Sequence, residues 1–234
     1  MPLTQLHARN LRPLGRVARA DSLLTVYRSA ALCRLGNGEL AALARAAGPL
    51  SYLDLRTAPE IAADPVDERL GATVLHRPLA VPGGVRWQGN YDVEHLLAAY
   101  AAYAGQAYAA VEAIAQWTTV AGPANLVVAC SAGKDRTGVV ALMLSRLTGV
   151  PAENAIRDFA ASFPHVMPPA CDPDSPYGRS FRSRRHEGPD EIAGRFLELA
   201  PPLPTETAAA FLAALGGAPW SWWDGASRSF RNGI

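Results

Sequence analysis

Cysteine is scarce in this chain. Cys33, Cys130 and Cys171 are too few and too scattered for a disulfide framework or a zinc site, and such usage fits a reducing compartment. Charge is scarce as well: with 18% charged residues and a formal net charge of +1, no global field gathers a nucleic acid, so any attraction for anions must be local. No apolar run approaches the length that spans a bilayer, and residues 1–10 lack the apolar core of a signal peptide. The expectation is a cytoplasmic protein, or one exported without a cleavable signal. No internal repeat is visible. What is present is 49% hydrophobic residues over 234 positions, enough for one substantial core, and a single α/β domain over 1–234 is expected.

The chain is organised around Cys130-Ser131-Ala132-Gly133-Lys134-Asp135-Arg136-Thr137-Gly138. The preceding Asn125-Leu126-Val127-Val128-Ala129 reads as a buried strand and 139–147 as a helix, so these residues form a strand-to-helix turn. Backbone N–H groups of a small-residue loop at a helix N-terminus make a cradle for a phosphate-sized anion. The same dipole and amides, with Arg136, favour the charged form of Cys130, which is the nucleophilic form. Five residues separate Cys130 from Arg136, so a guanidinium folded back over the loop can grip two phosphoryl oxygens while the sulfur sits below. The rival reading of a Gly-Lys turn, the NTPase phosphate loop, needs Gly and Ser or Thr where this chain has Val128 and Asp135. It fails on both.

Cys-x5-Arg-Thr-Gly resembles the phosphate loop of cysteine-dependent phosphatases, and Ala-Gly-Lys-Asp-Arg-Thr-Gly resembles a bacterial tyrosine and lipid phosphatase family. Asn10-Leu11-Arg12, Tyr27-Arg28-Ser29 and Asp54-Leu55-Arg56 with Glu60 follow that family's order. The resemblance implies a three-layer fold with a central, mostly parallel sheet flanked by helices. It further implies phosphomonoester hydrolysis through a phosphocysteine, with no metal or cofactor. In that scheme Cys130 attacks, and Arg136 with the amides of Ser131, Ala132, Gly133, Lys134 and Asp135 holds the phosphoryl oxygens. Thr137 bonds the sulfur, and Asp135 or Asp54 protonates the leaving alcohol. One position departs: the family places His before the cysteine, and this chain has Ala129. That loss tilts the expectation toward a small-molecule substrate.

Other positions carry two readings each. Arg28 is either a strand-end charge or a residue lining the phosphate mouth. Asp54 and Arg56 either face the loop, from the end of a strand over 50–56, or pair with each other. Residues 92–117 read as an Ala-rich helix carrying Tyr100, Tyr103 and Tyr108, mostly core, with part of it a candidate lid. Residues 164–189, with Arg179, Arg182, Arg184 and Arg185, read as a long loop, either mobile and solvated or a basic flap for a polyanion. Helices are expected over 38–47, 151–163, 189–200 and 205–215, and strands over 24–32 and 73–79. The partner is a phosphorylated substrate: a phosphoprotein, a phosphoinositide, or a nucleotide, sugar or inositol phosphate. A weakly active phosphate-binding module is the second class. Oligomeric state is not legible.

Overall fold

A computed structural model describes residues 10–19, 22–66, 68–81, 93–120, 124–163, 188–215 and 220–222. The basic stretch lies outside them except for its last two residues, and so do Asp92 and Cys171. Six strands form one sheet: β1 (Arg12–Arg19), β2 (Ser22–Ala30), β3 (Leu50–Asp54), β4 (Thr73–His76), β5 (Asn125–Cys130) and β6 (Trp220–Trp222), in the order β4-β3-β5-β2-β1-β6. The pairs β4/β3, β3/β5 and β5/β2 are parallel, while β1 runs antiparallel to β2 and to β6. The apolar runs of β3 and β5 follow from that placement, because an interior parallel strand is covered on both faces. Every residue of β3 is buried, and so is every residue of β5 after Asn125.

Seven helices accompany the sheet among the described residues: α1 (Asn37–Ala47), α2 (Ala58–Ala63), α3 (Val93–Val120), α4 (Asp135–Leu147), α5 (Ala152–Ala160), α6 (Pro189–Leu199) and α7 (Thr205–Ala214). One core cluster joins the sheet to α3 through α7, and a second, with Leu40, Leu43, Tyr52 and Val127, fills the space under α1. The result is the expected three-layer α/β arrangement. Helix α3 buries Ala104, Ala107, Ala110, Val111 and Ile114 completely. Much of this helix lies in the core, and its first half reaches the site.

Two strands were not expected. In β1 a bulge between Pro13 and Gly15 breaks the alternation, leaving Leu14 and Val17 both buried at a spacing of three. Strand β6 pairs Trp222 with Gly15 and Trp220 with Val17. The short α2 was missed although Thr57 and Glu60 form a capping box at its start. Helix α4 begins four residues before 139, because Gly138 N–H already donates to Lys134 O at 2.8 Å.

Parallel pairing sets Asp54 opposite Ala129, Ser29 opposite Ala129, and Ala30 opposite Cys130. The carboxyl ends of the three central strands thus share one edge, where open α/β sheets collect their ligands. At the other flank, a Cβ on Gly15 would lie 2.5 Å from the Trp220 ring. Gly15→Ala should force Trp220 and β6 off β1 and cost about 1–3 kcal/mol, as overpacking does. Urea unfolding read by far-UV circular dichroism measures the loss.

Candidate active site: the phosphate loop and its supports

Cys130 ends β5 almost fully buried, and the four residues after it turn into α4. The outward carbonyls of this turn are all taken. Ser131 O accepts from Ala31 N–H at 3.3 Å. Asn10 Nδ2 donates to Gly133 O at 2.8 Å and to Ala132 O at 3.3 Å. Arg28 Nη2 donates to Gly133 O at 2.9 Å and to Lys134 O at 3.4 Å. No peptide here is cis, and in a trans peptide C=O and the next N–H point in opposite directions. The amides of Ala132, Gly133, Lys134 and Asp135 are therefore turned away from these donors, as a cradle requires. Gly133 has φ +69°, and a Cβ on it would lie 2.4 Å from the Ser29 backbone. No other residue type fits that turn without displacing β2.

Arg28 is fixed in turn. Its Nη1 pairs with Asp158 of α5, whose other oxygen accepts from Arg12 Nε at 2.8 Å. Arg12 also donates to Ser162 Oγ at 2.9 Å and to Asn10 Oδ1. Burial alone would raise the Asp158 carboxyl, but the charges of Arg28 and Arg12 outweigh it and hold the group below the usual range. Burial and the neighbouring Arg28 bring Arg12 down to about 10, against the pull of Asp158. Arg28, read as a candidate for the phosphate mouth, is wholly buried behind the loop and holds its carbonyls.

In front of the loop, Arg136 forks onto Glu60, with Nη1 to Oε2 at 2.6 Å and Nη2 to Oε1 at 2.7 Å. Ser131 Oγ joins the same carboxylate, donating to Oε1 at 2.6 Å, and Glu60 Oε2 accepts the Thr57 N–H at 2.8 Å. Burial pushes Glu60 up, yet the hydrogen bonds from Arg136, Ser131 and Thr57 hold it well below the ordinary carboxylate range. Burial likewise lowers Arg136, but Glu60 and the charge of Cys130 raise it further than burial lowers it. The capping box of α2 thus aims the arginine.

Asp135 is the first residue of α4, and its Oδ1 accepts from Lys134 Nζ and from Tyr100 OH, each at 2.5 Å. Lys134 is buried, with Nζ 4.6 Å from the centroid of Phe163. Its side chain supports the turn. Burial raises the Tyr103 phenol to about 12, with the charge of Arg136 opposing and those of Asp135, Cys130 and Glu60 adding, so a neutral phenol stands beside the loop. Neither tyrosine stands out for the site in the sequence, since helical spacing alone reads as core.

Two expectations change. Asp54 is fully buried and spent on Arg56, accepting from its N–H and Nε at 3.0 Å and from its Nη2 at 2.7 Å. Arg56 further donates to Asp64 O at 2.8 Å and to Cys33 Sγ at 3.2 Å, so it staples β3 to the end of α2 and takes no place at the mouth. The Thr137 hydroxyl, expected on the sulfur, is buried and hydrogen-bonds no described residue. Cys130, Ser131, Asp135 and Arg136 lie together on the one turn between β5 and α4.

The tyrosine phosphatase family model matches residues 3–215, which takes in every support just described. This chain belongs to the tyrosine phosphatase family. It is a phosphatase, a phosphoric monoester hydrolase, and a phosphorylated substrate follows from that membership. No curated protein is similar enough in sequence to count as a relative. Among the described residues, no group of three or more His, Cys, Asp or Glu side chains is placed to hold a metal ion, and no helix is long and apolar enough to cross a membrane.

In this phosphatase, Asp54→Asn should destabilise without touching the chemistry, because it leaves Arg56 buried with half its partners. About 3–5 kcal/mol is expected for breaking such a pair, measured by urea unfolding, with equal relative turnover of aryl and alkyl phosphates.

Proposed function

We propose that the phosphatase works through a phosphocysteine on Cys130. The observation that carries this reading is the Arg136 fork held by Glu60 over a loop whose carbonyls are all tied outward. The Cys130 thiolate attacks phosphorus in line as the bond to the ester oxygen breaks, and the three remaining phosphoryl oxygens lie on Arg136 and the loop amides. Asp135 gives its proton to the departing alkoxide, releasing the alcohol. A water then attacks the phosphocysteine and returns a proton to Asp135, and the sulfur leaves as thiolate with inorganic phosphate as the second product. Thr137 is left out of the sulfur's departure. Asp135 is preferred to Asp54 as the acid because Asp54 is bound to Arg56, whereas Asp135 sits on the loop itself.

A substrate with one phosphoryl group suits the described cations. Arg28 and Arg56 are engaged in buried pairs away from the loop mouth and Lys134 with Asp135, whereas Arg136, held by Glu60, is the cation in front of the loop to face the dianion. That favours a singly phosphorylated tyrosyl or small-molecule ester over a bisphosphorylated lipid. Ala129 is buried in β5, where the resembled family carries histidine, and the loop is supported by Asn10 and Arg28 from behind.

Cys130→Ser should lower turnover of an aryl phosphate by at least about 10³-fold, given what loss of a nucleophile costs elsewhere, while inorganic phosphate still binds. Steady-state rates and a phosphate titration by calorimetry measure the two. Ordinary turnover by Cys130→Ser would end the phosphocysteine reading, and an inert wild type across phosphopeptides, phosphoinositides and nucleotides would favour a phosphate-binding module.

A further inference from the structure

The clearest feature that this reaction scheme does not use lies on α3. Tyr100 is wholly buried, edge-on to Phe159 at 5.9 Å and 75° and to Phe196 at 5.9 Å and 88°, so its ring has no room to swing. Its hydroxyl is the polar end of that fixed ring, and it meets Asp135 Oδ1 at 2.5 Å. Lys134 Nζ meets the same oxygen at the same distance, with its position set against the Phe163 ring. Two donors from different elements, the loop and α3, thus converge on one carboxyl oxygen.

We infer that Tyr100 and Lys134 are positioning residues for the general acid, fixing Asp135 so that its proton is carried on Oδ2. This rests on the reading of Asp135 as the acid. The physical reason is that an oxygen whose lone pairs already accept two hydrogen bonds, one from a cation, has no place for a proton, so the protonated acid carries it on the other oxygen. Oδ2 accepts no hydrogen bond from any described residue, and the Asp135 side chain is partly exposed, so that oxygen is the one free to meet a leaving group. A carboxyl with one donor can rotate about it; with two it is held in plane. Proton transfer depends steeply on such alignment. The Tyr100 hydroxyl and the Lys134 ammonium touch no substrate themselves, and their effect passes through Asp135.

A tyrosine that only fills the core would have the same packing but not the same kinetics. The experiment compares an aryl phosphate, whose leaving group needs no proton, with an alkyl phosphate, whose leaving group does. Wild type, Tyr100→Phe, Asp135→Asn and the double variant are measured on both. Tyr100→Phe keeps the ring between Phe159 and Phe196 and removes only the hydroxyl. It should lower kcat for the alkyl phosphate about tenfold, a fraction of the 10²–10⁴ that a general acid supplies, with KM and the aryl rate near wild type. In the Asp135→Asn background the same change should have no further effect on the alkyl-to-aryl ratio, since a positioning residue has nothing left to position. Lys134→Met keeps the stem on Phe163 and removes the other donor; it should lower the alkyl rate by more than the aryl rate, which also falls as the turn loosens, and it serves if Tyr100→Phe proves too unstable to assay. Equal losses on both substrates, or an alkyl-selective loss that persists without Asp135, would overturn the inference and leave Asp135 as the acid. Should Asp135→Asn itself fail to separate the two substrates, the acid assignment falls, and the inference with it.

Discussion

A loop whose amides point inward must dispose of its carbonyls, and that requirement organises this protein. Each inward N–H belongs to a peptide whose C=O points outward into the packed interior, where an unpaired carbonyl is costly. Here those oxygens are met by Asn10, Arg28 and the Ala31 amide. Arg28 then needs Asp158, Asp158 shares its second oxygen with Arg12, and Arg12 reaches back to Asn10. The antiparallel β1/β2 hairpin exists at the right place to deliver these three side chains, since Arg12 and Arg28 are register partners. Behind the loop sits an ionic network; in front sits one carboxylate, Glu60, on the first turn of α2.

The two supports differ in what they leave free. The rear network is largely buried. The front support holds Arg136 through both Nη atoms of its guanidinium, while Glu60 remains about a third exposed, so the arginine is fixed in place within the protein itself. Pre-alignment of this kind lowers the reorganisation that binding and reaction would otherwise require. The same economy appears at Asp135, where α3 and the loop each supply one donor.

The nine loop residues are the most legible part of the chain, because a cysteine and an arginine at that fixed spacing on a strand-to-helix turn converge on a single anion. The interior strands are legible for the same kind of reason: Leu126-Val127-Val128-Ala129 can hardly be anything but a doubly covered strand. Arg28, Asp54 and Arg56 stand out in the sequence while their roles do not, since a charge at a strand end looks the same there whether it faces a ligand or a neighbouring side chain. Asp158 does not stand out at all. It is one acid on an amphipathic helix, 146 residues from Arg12, and only the fold brings the two within hydrogen-bond distance. Tyr100 is hidden by its own helix, whose alanine-rich spacing gives every tyrosine a packing role by default. Thr57 with Glu60 does carry a signal, the capping box, that places α2 and with it the carboxylate holding Arg136.

The central claim is a covalent phosphoryl group on Cys130, and the direct test is to trap it. Wild-type protein is mixed with an aryl phosphate, quenched in acid during the first turnover, digested, and mapped by mass spectrometry. The account predicts one phosphoryl group on the peptide that carries Cys130, present during turnover and gone once the substrate is consumed. Release of inorganic phosphate with no phosphorylated peptide, or a phosphoryl group on any other residue, would contradict it.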